Sequence, residues 1–280
     1  MDEHFRAFSF VDRITSVEAG VRIRGHYTIP VGVDSFPAPL VTEAVGQLAA
    51  WCAMAALDFK CRPVAGIAGN IEMLSPVRPG QVLELAAELQ TCDPQAVAYN
   101  GTARADGVQV IRLENCVGPM LGIETFDDPQ ALRDRFALLC GSGAVPGAFG
   151  GVPSVVPEQI GGETGQWIRA RLHVPESAPF FADHFPRHPV FPGTLLMNAN
   201  LQLASTLAGQ IPTSVPDAAW SLRAVSDVKL RAFIRPGEAL EVETRLAECS
   251  GDTAVLTVAI QRGKRVVGGA RVLFSTEGRP

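Results

Sequence analysis

Two stretches of the chain repeat one pattern of apolar and polar positions. PAPLVTEAVGQLAAW (37–51) and PGTLLMNANLQLAST (192–206) each open with a proline and a small residue, then run apolar. Each places a polar residue six positions after the proline (Glu43, Asn198) and a glutamine four further on (Gln47, Gln202). Proline suits a first helical turn, and a spacing of four puts each polar pair on one face. The pattern predicts two long helices that are apolar on nearly every side, so other elements must wrap them. The unbroken apolar run 48–57 extends the first helix; its ten residues are too few for a membrane span.

The repeat continues downstream. SPVRPGQVLELAAEL (75–89) matches RAFIRPGEALEVETR (231–245) at Arg-Pro-Gly and again at Leu-Glu. From Pro37 to Pro79 is 42 residues, and from Pro192 to Pro236 is 44. Segments 82–89 and 253–260 alternate in part between apolar and polar, as strands with one face on a core do. Asp106-Gly107 and Arg262-Gly263-Lys264 are tight-turn signals for hairpins. Upstream of each helix lies a strand signal, FSFVDRITSVEAGVRIRGHYTI (8–29) and QWIRARLHV (166–174). Three features in the same order predict a duplication. The units are expected at 1–139 and 163–280, joined by a Gly-, Pro- and Val-rich linker at 140–162.

Composition narrows the class. The 280 residues are 47% apolar with a net charge of −5, ample for a core and unsuited to nucleic acid. The first ten residues are polar and acidic where a leader would be basic and then apolar, so a cytoplasmic protein is expected. Six scattered cysteines without a CxxC or His/Cys cluster predict reduced thiols and no metal.

The chemistry concentrates in DHFPRHPVFPGTLLMNANLQLA (183–204). Pro186, Pro189 and Pro192 mark a stiff loop that carries His184, Arg187 and His188 ahead of the second helix. Glu43 is conspicuous for the opposite reason: a carboxylate on an apolar helix needs a partner or a role. His4, His26, His173 and His188 have no such context and are expected to be ordinary residues. Tyr27 and Tyr99 are the only tyrosines.

HFPRHPVFPGTLLMNANLQ resembles the HFPxxPVMPGxLxxEAxxQ signature of the hotdog-fold 3-hydroxyacyl-(acyl-carrier-protein) dehydratases, the FabA/FabZ group. FSFVDRI (8–14) is similar to that family's FxxVDR strand, and DVKLRAFIRPGEAL (227–240) and GNIEMLSPVRPGQVL (69–83) to its segment ending in PGDxL. The resemblance implies an α+β double hotdog: two tandem units, each an antiparallel sheet wrapped around one central helix, forming a pseudo-dimer. In the family each composite site takes a histidine from one subunit and a helix carboxylate from the other. Here the second unit keeps His184 but has Asn198 at the carboxylate position. The first keeps Glu43 but has lost the loop: Pro30 to Pro37 spans seven residues, against 17 from Pro175 to Pro192. One working site, His184 with Glu43, is the expected outcome.

The resemblance further implies dehydration of 3-hydroxyacyl thioesters to trans-2-enoyl thioesters in fatty-acid or polyketide-type synthesis. His184 is the natural base and Glu43, favoured neutral by desolvation, the natural acid. Gly193 at the helix start is a candidate oxyanion donor. Phe185, Phe191, Pro192, Gln47 and Asn198 are expected to bind substrate. The cargo would ride on the phosphopantetheine of an acyl carrier protein or on CoA, with no bound cofactor. Arg187, Lys229, Arg231 and Arg235 are candidates for docking the acidic carrier. A hotdog thioesterase and a non-catalytic acyl-binding or scaffold subunit are the alternatives. Pairing beyond the pseudo-dimer is left open.

Overall fold

A computed structural model of the chain describes residues 5–146, 149–151, 155–214 and 218–276. The first unit runs β1 (Arg13–Glu18), β2 (Arg22–Thr28), α1 (Ala38–Ala56), β3 (Cys61–Pro63), β4 (Ile67–Met73), β5 (Val82–Cys92), β6 (Ala96–Ala105), β7 (Val108–Gly122) and α2 (Pro129–Cys140). The second runs β8 (Glu158–Glu163), β9 (Trp167–His173), α3 (Gly193–Ala208), β10 (Ser221–Leu230), β11 (Ala239–Ser250), β12 (Thr253–Arg262) and β13 (Arg265–Ser275).

The strands form one antiparallel sheet in the order β1-β2-β5-β6-β7-β4-β10-β13-β12-β11-β9-β8. Reading inward from the two ends, the units have the same order, and they meet edge to edge where β4 pairs with β10. β3 is an extra strand paired with β7. The chain is thus a double hotdog, each half-sheet packed on its helix. β5 shows why the sequence folds this way: Leu83, Leu85 and Ala87 are buried against α1 while Val82, Glu84 and Glu88 face out. β12 alternates in the same sense over Ala254, Leu256, Val258 and Ile260. The Asp106-Gly107 turn is a two-residue hairpin with both residues at positive φ, 51° and 78°.

Most of α1 is buried, with Leu48, Ala44, Val45 and Cys52 fully so. Truncating a side chain such as Leu48 costs roughly 2–5 kcal/mol. α2 closes over the open side of α1, stacking Phe136 on Trp51 with centroids 6.1 Å apart. A second aromatic cluster joins Phe10, Tyr27, Phe36 and Phe149.

Two expectations need correction. The segment expected as linker contains most of a strand: β8 begins at Glu158 and pairs with β9 along the sheet edge. Its EQIGGE sequence lacks an apolar face because an edge strand this exposed has nothing to bury. The first strand begins at Arg13 rather than Phe8. Phe8 and Phe10 spend backbone groups on side chains of other elements, and Phe8, Phe10 and Val11 are buried. Among the described residues no helix is long and apolar enough to cross a membrane. All six cysteines are free.

Candidate active site

α1 and α3 pack against each other at the seam, and one bond ties them: Thr194 Oγ1 donates to Glu43 Oε2 at 2.6 Å. Around it lies a cavity of about 470 Å³ whose wall includes Glu43, Gln47, His184, Phe185, Phe191 and Gly193. Residues of both units therefore share one chamber.

The chain reaches His184 through a 3-10 turn at Pro179–Ala182, after which the His184 N–H donates to Phe180 O at 2.7 Å. Imidazole Nδ1 lies 2.9 Å from Val190 O. A carbonyl only accepts, so Nδ1 carries the proton and Nε2 keeps its lone pair. Phe8 meets the ring edge-on at 5.6 Å and Phe185 lies at 4.3 Å. Burial pushes the imidazole down to about 3; the Val190 carbonyl opposes this and the Arg62 charge adds to it. The ring is neutral through the physiological range.

Glu43 is held on both oxygens. Gln47 Nε2 donates to Oε1 at 3.0 Å, and Thr194 takes the other. Burial pushes the carboxyl up, while Thr194, Gln47 and Arg62 pull it back in part. Gln47 also accepts from Phe10 N at 2.8 Å and donates to Phe8 O at 2.9 Å. Asp183 grips the same segment from the other unit. It accepts from Phe5 N, from Phe8 N at 2.6 Å and from Ser9 Oγ at 3.3 Å. Residues 5–10 are thereby laced to the helix that carries Glu43 and the loop that carries His184.

Gly193 begins α3 after Pro192, whose side chain makes no cap, so the first-turn N–H groups have no side-chain acceptor. A methyl added at Gly193 would lie 2.5 Å from Leu230 Cδ1, so glycine permits the close packing there.

Several expected residues are elsewhere. Pro192 is buried under the helix start and is not on the cavity wall. Asn198 is not on it either: the α3 wall is made by Gly193, Thr194, Leu196 and Met197. Asn198 occupies in the second unit the place of Glu43 in the first. The residue matching Thr194 there is Pro39, which has no hydroxyl to offer. Arg187 is engaged by the protein: Nη2 pairs with Asp128 at 2.8 Å and Nη1 donates to Glu124 O at 3.3 Å. Lys229 and Arg231 are exposed, Arg231 at the cavity wall, and Arg235 is exposed in an adjoining groove with His188 and Arg262. His188 packs between Phe126 and Phe233. His4 lies outside the described residues.

Sequence reasoning missed Arg62, Thr194, Asp183 and Tyr99, all on the wall. Tyr99 is a partly buried phenol hydrogen-bonded to Cys116 and pushed well above its ordinary range by desolvation. Thr194 could have been found from its place one turn before Asn198. Arg62, in a three-residue strand, carries no local signal. Among the described residues no group of three or more His, Cys, Asp or Glu could hold a metal ion.

The His184 environment has a thermodynamic signature. The folded state holds the ring neutral down to about 3, whereas the unfolded chain protonates it near 6.5. Its contribution to stability is complete above about 6.5 and is lost as pH falls toward 3. His184→Gln removes that loss. The stability gap between wild type and variant should therefore shift against wild type from pH 7 to pH 4, as read by denaturant midpoints at matched salt. A gap independent of pH would contradict the desolvated neutral ring.

Comparison with known proteins agrees with this architecture. The sequence model of the ApeI-like family, described as ApeI dehydratase, matches residues 161–270. The chain is similar to 3-hydroxyacyl-[acyl-carrier-protein] dehydratases FabZ. That of Haemophilus ducreyi is 33% identical over 104 residues, 36% of this chain and 68% of the relative. That of Actinobacillus pleuropneumoniae is 31% identical over 114 residues, 40% and 74%. Other matches span 54% of the relative's length. Among solved structures, a Lactobacillus plantarum protein described as an oleoyl thioesterase superposes with a TM-score of 0.60 at 12% identity, covering 92% of this chain and 98% of that one. An acyl-ACP thioesterase of Bacteroides thetaiotaomicron gives 0.51 at 14%, covering 90% and 98%. At such identities these two report the fold alone. The sequence relatives carry the assignment: the chain belongs to the FabZ family of hotdog-fold dehydratases.

Proposed function

We propose that the protein dehydrates 3-hydroxyacyl thioesters to trans-2-enoyl thioesters at one composite site. The observation that carries this reading is His184 of the second unit and Glu43 of the first on the wall of one cavity. The FabZ relatives support it by the reaction in their name.

In this reading Nε2 of neutral His184 takes a proton from C2 of the substrate. The Val190 carbonyl fixes the tautomer that makes this nitrogen available. Electron density moves onto the thioester oxygen, where the uncapped first turn of α3 offers N–H donors at Gly193 and Thr194. Glu43, with its neutral form favoured by burial, gives its proton to the C3 hydroxyl, which leaves as water. Phe185 and Phe191 wall the reacting end, and Trp51, Met54 and Leu139 the apolar remainder. Such a lining suits an acyl chain. Arg187, Lys229, Arg231 and Arg235 remain the candidates to meet an acidic carrier or the phosphates of CoA, Arg187 from a half-exposed pairing with Asp128.

The test is hydration of a crotonyl thioester, on carrier protein and on CoA, followed as loss of enoyl absorbance, with free thiol measured in parallel. Loss of absorbance without thiol release is expected. Thiol release would instead establish a thioesterase. Neither signal at any chain length would leave an acyl-binding subunit.

A further inference from the structure

β3 and the turn after β7 have no counterpart in the second unit among the described residues, and both face the His184 loop. Arg62 of β3 donates through Nη1 to Asp127 Oδ2 at 2.6 Å, and Asp127 is 1% exposed. The guanidinium lies over the Phe185 ring at 4.5 Å. Phe185 has a φ of 64°, a left-handed conformation that is costly for a bulky residue unless its surroundings impose it. Its ring is wedged between Phe126, at 5.0 Å, and His184, at 4.3 Å. Two residues on, the Arg187 N–H donates to Phe126 O at 3.0 Å. The first unit thus grips the loop on the residue next to the histidine.

Arg62 is also on the cavity wall. The charged and titratable groups around it come from every neighbouring element: Glu43 from α1, Asp127 from the turn after β7, and Asp183 and His184 from the loop. Arg135 of α2, also on the cavity wall, interacts with Asp183 as well.

We propose that Arg62, clamped by Asp127 and stacked on Phe185, is a positioning residue that holds the His184 ring of the second unit in the cavity it shares with Glu43 of the first. This rests on the dehydratase reading for its kinetic consequence only; its structural content is independent of that reading. Arginine suits the role better than lysine, because its planar fork pairs with a carboxylate and stacks on a ring together.

The test compares Arg62→Lys, Arg62→Met and the double variant Arg62→Met/Asp127→Asn, which leaves no unpaired buried carboxylate. Turnover of the crotonyl thioester is measured beside the NMR titration of the His184 imidazole, assigned by its absence in His184→Gln. Expected is a fall in kcat of about 100-fold for Arg62→Met and the double variant with little change in KM, the scale of a misplaced catalytic group. Arg62→Lys should retain part of the rate. The His184 titration should rise toward the ordinary range in Arg62→Met, where lost charge and gained water act in the same direction, and also in the double variant, where the lost Asp127 charge offsets part of the charge effect and the gained water carries the rise. An unmoved His184 titration in the folded double variant would overturn the proposal whatever the kinetics. If wild type is inactive, the dehydratase reading fails, and the titration still decides the clamp.

Discussion

His184→Ala is expected to lower turnover of a 3-hydroxyacyl or enoyl thioester by roughly a thousandfold or more, within the range carried by a general base. The variant should fold, since among the described residues the ring's hydrogen bond is to the Val190 carbonyl at the cavity wall. Glu43→Gln should cost about 100- to 1000-fold, because the amide keeps the Thr194 contact but has no proton to give. Both losses should fall on kcat rather than KM, since each removes an interaction of the transition state. The comparison that makes the result specific is Asn198→Ala, which lies off the cavity wall and should stay within about twofold of wild type. Equal losses at Asn198 would mean that the second half-site is alive. Full activity in His184→Ala would require a different catalytic arrangement.

A large loss of stability is expected at Gly118 in β7. A methyl there would lie 2.2 Å from Val64 O. That carbonyl belongs to backbone whose own N–H is bonded to Pro119 O at 3.0 Å, so it cannot swing aside as a side chain could. Gly118→Ala should therefore displace the segment that follows β3, at about 3 kcal/mol, the upper end of ordinary overpacking. That corresponds to a fall in melting temperature of about 5–10 °C. Gly122→Ala, with nothing within 4 Å of the added methyl, is the control and should shift melting by about a degree. Gly118 and Val64 both wall the cavity, so KM should rise with the loss of stability.

What could be read from the chain beforehand followed from regular spacing. Two apolar helices, their proline starts, the Arg-Pro-Gly turns and the hairpin at Asp106-Gly107 are local patterns, and each reappears in the structure. That His184 and Glu43 would face one cavity could be anticipated because each unit lacked what the other retained. Elements decided by distant contacts left no such trace. Arg62 looks like any surface arginine until Asp127, 65 residues away, and Phe185 are brought around it. Arg187 looked free for a partner because nothing local announces Asp128, 59 residues upstream. Phe8–Val11 had a strand's composition, yet Phe8 and Phe10 bond through their backbone to Gln47 and Asp183. Thr194 is an unremarkable helix-start residue until the first helix places Glu43 beside it.

The joining of β4 to β10 in one chain also fixes a stoichiometry. A composite site in an ordinary dimer exists only while two molecules stay associated, and dilution dissolves it. Here the seam is covalently supplied with its own partner, at an effective concentration set by the connecting segment rather than by the solution. Each chain brings both walls of this chamber together at any dilution. One unit supplies the carboxyl and a brace, the other the imidazole, and neither must remain able to pair with a copy of itself to complete this cavity.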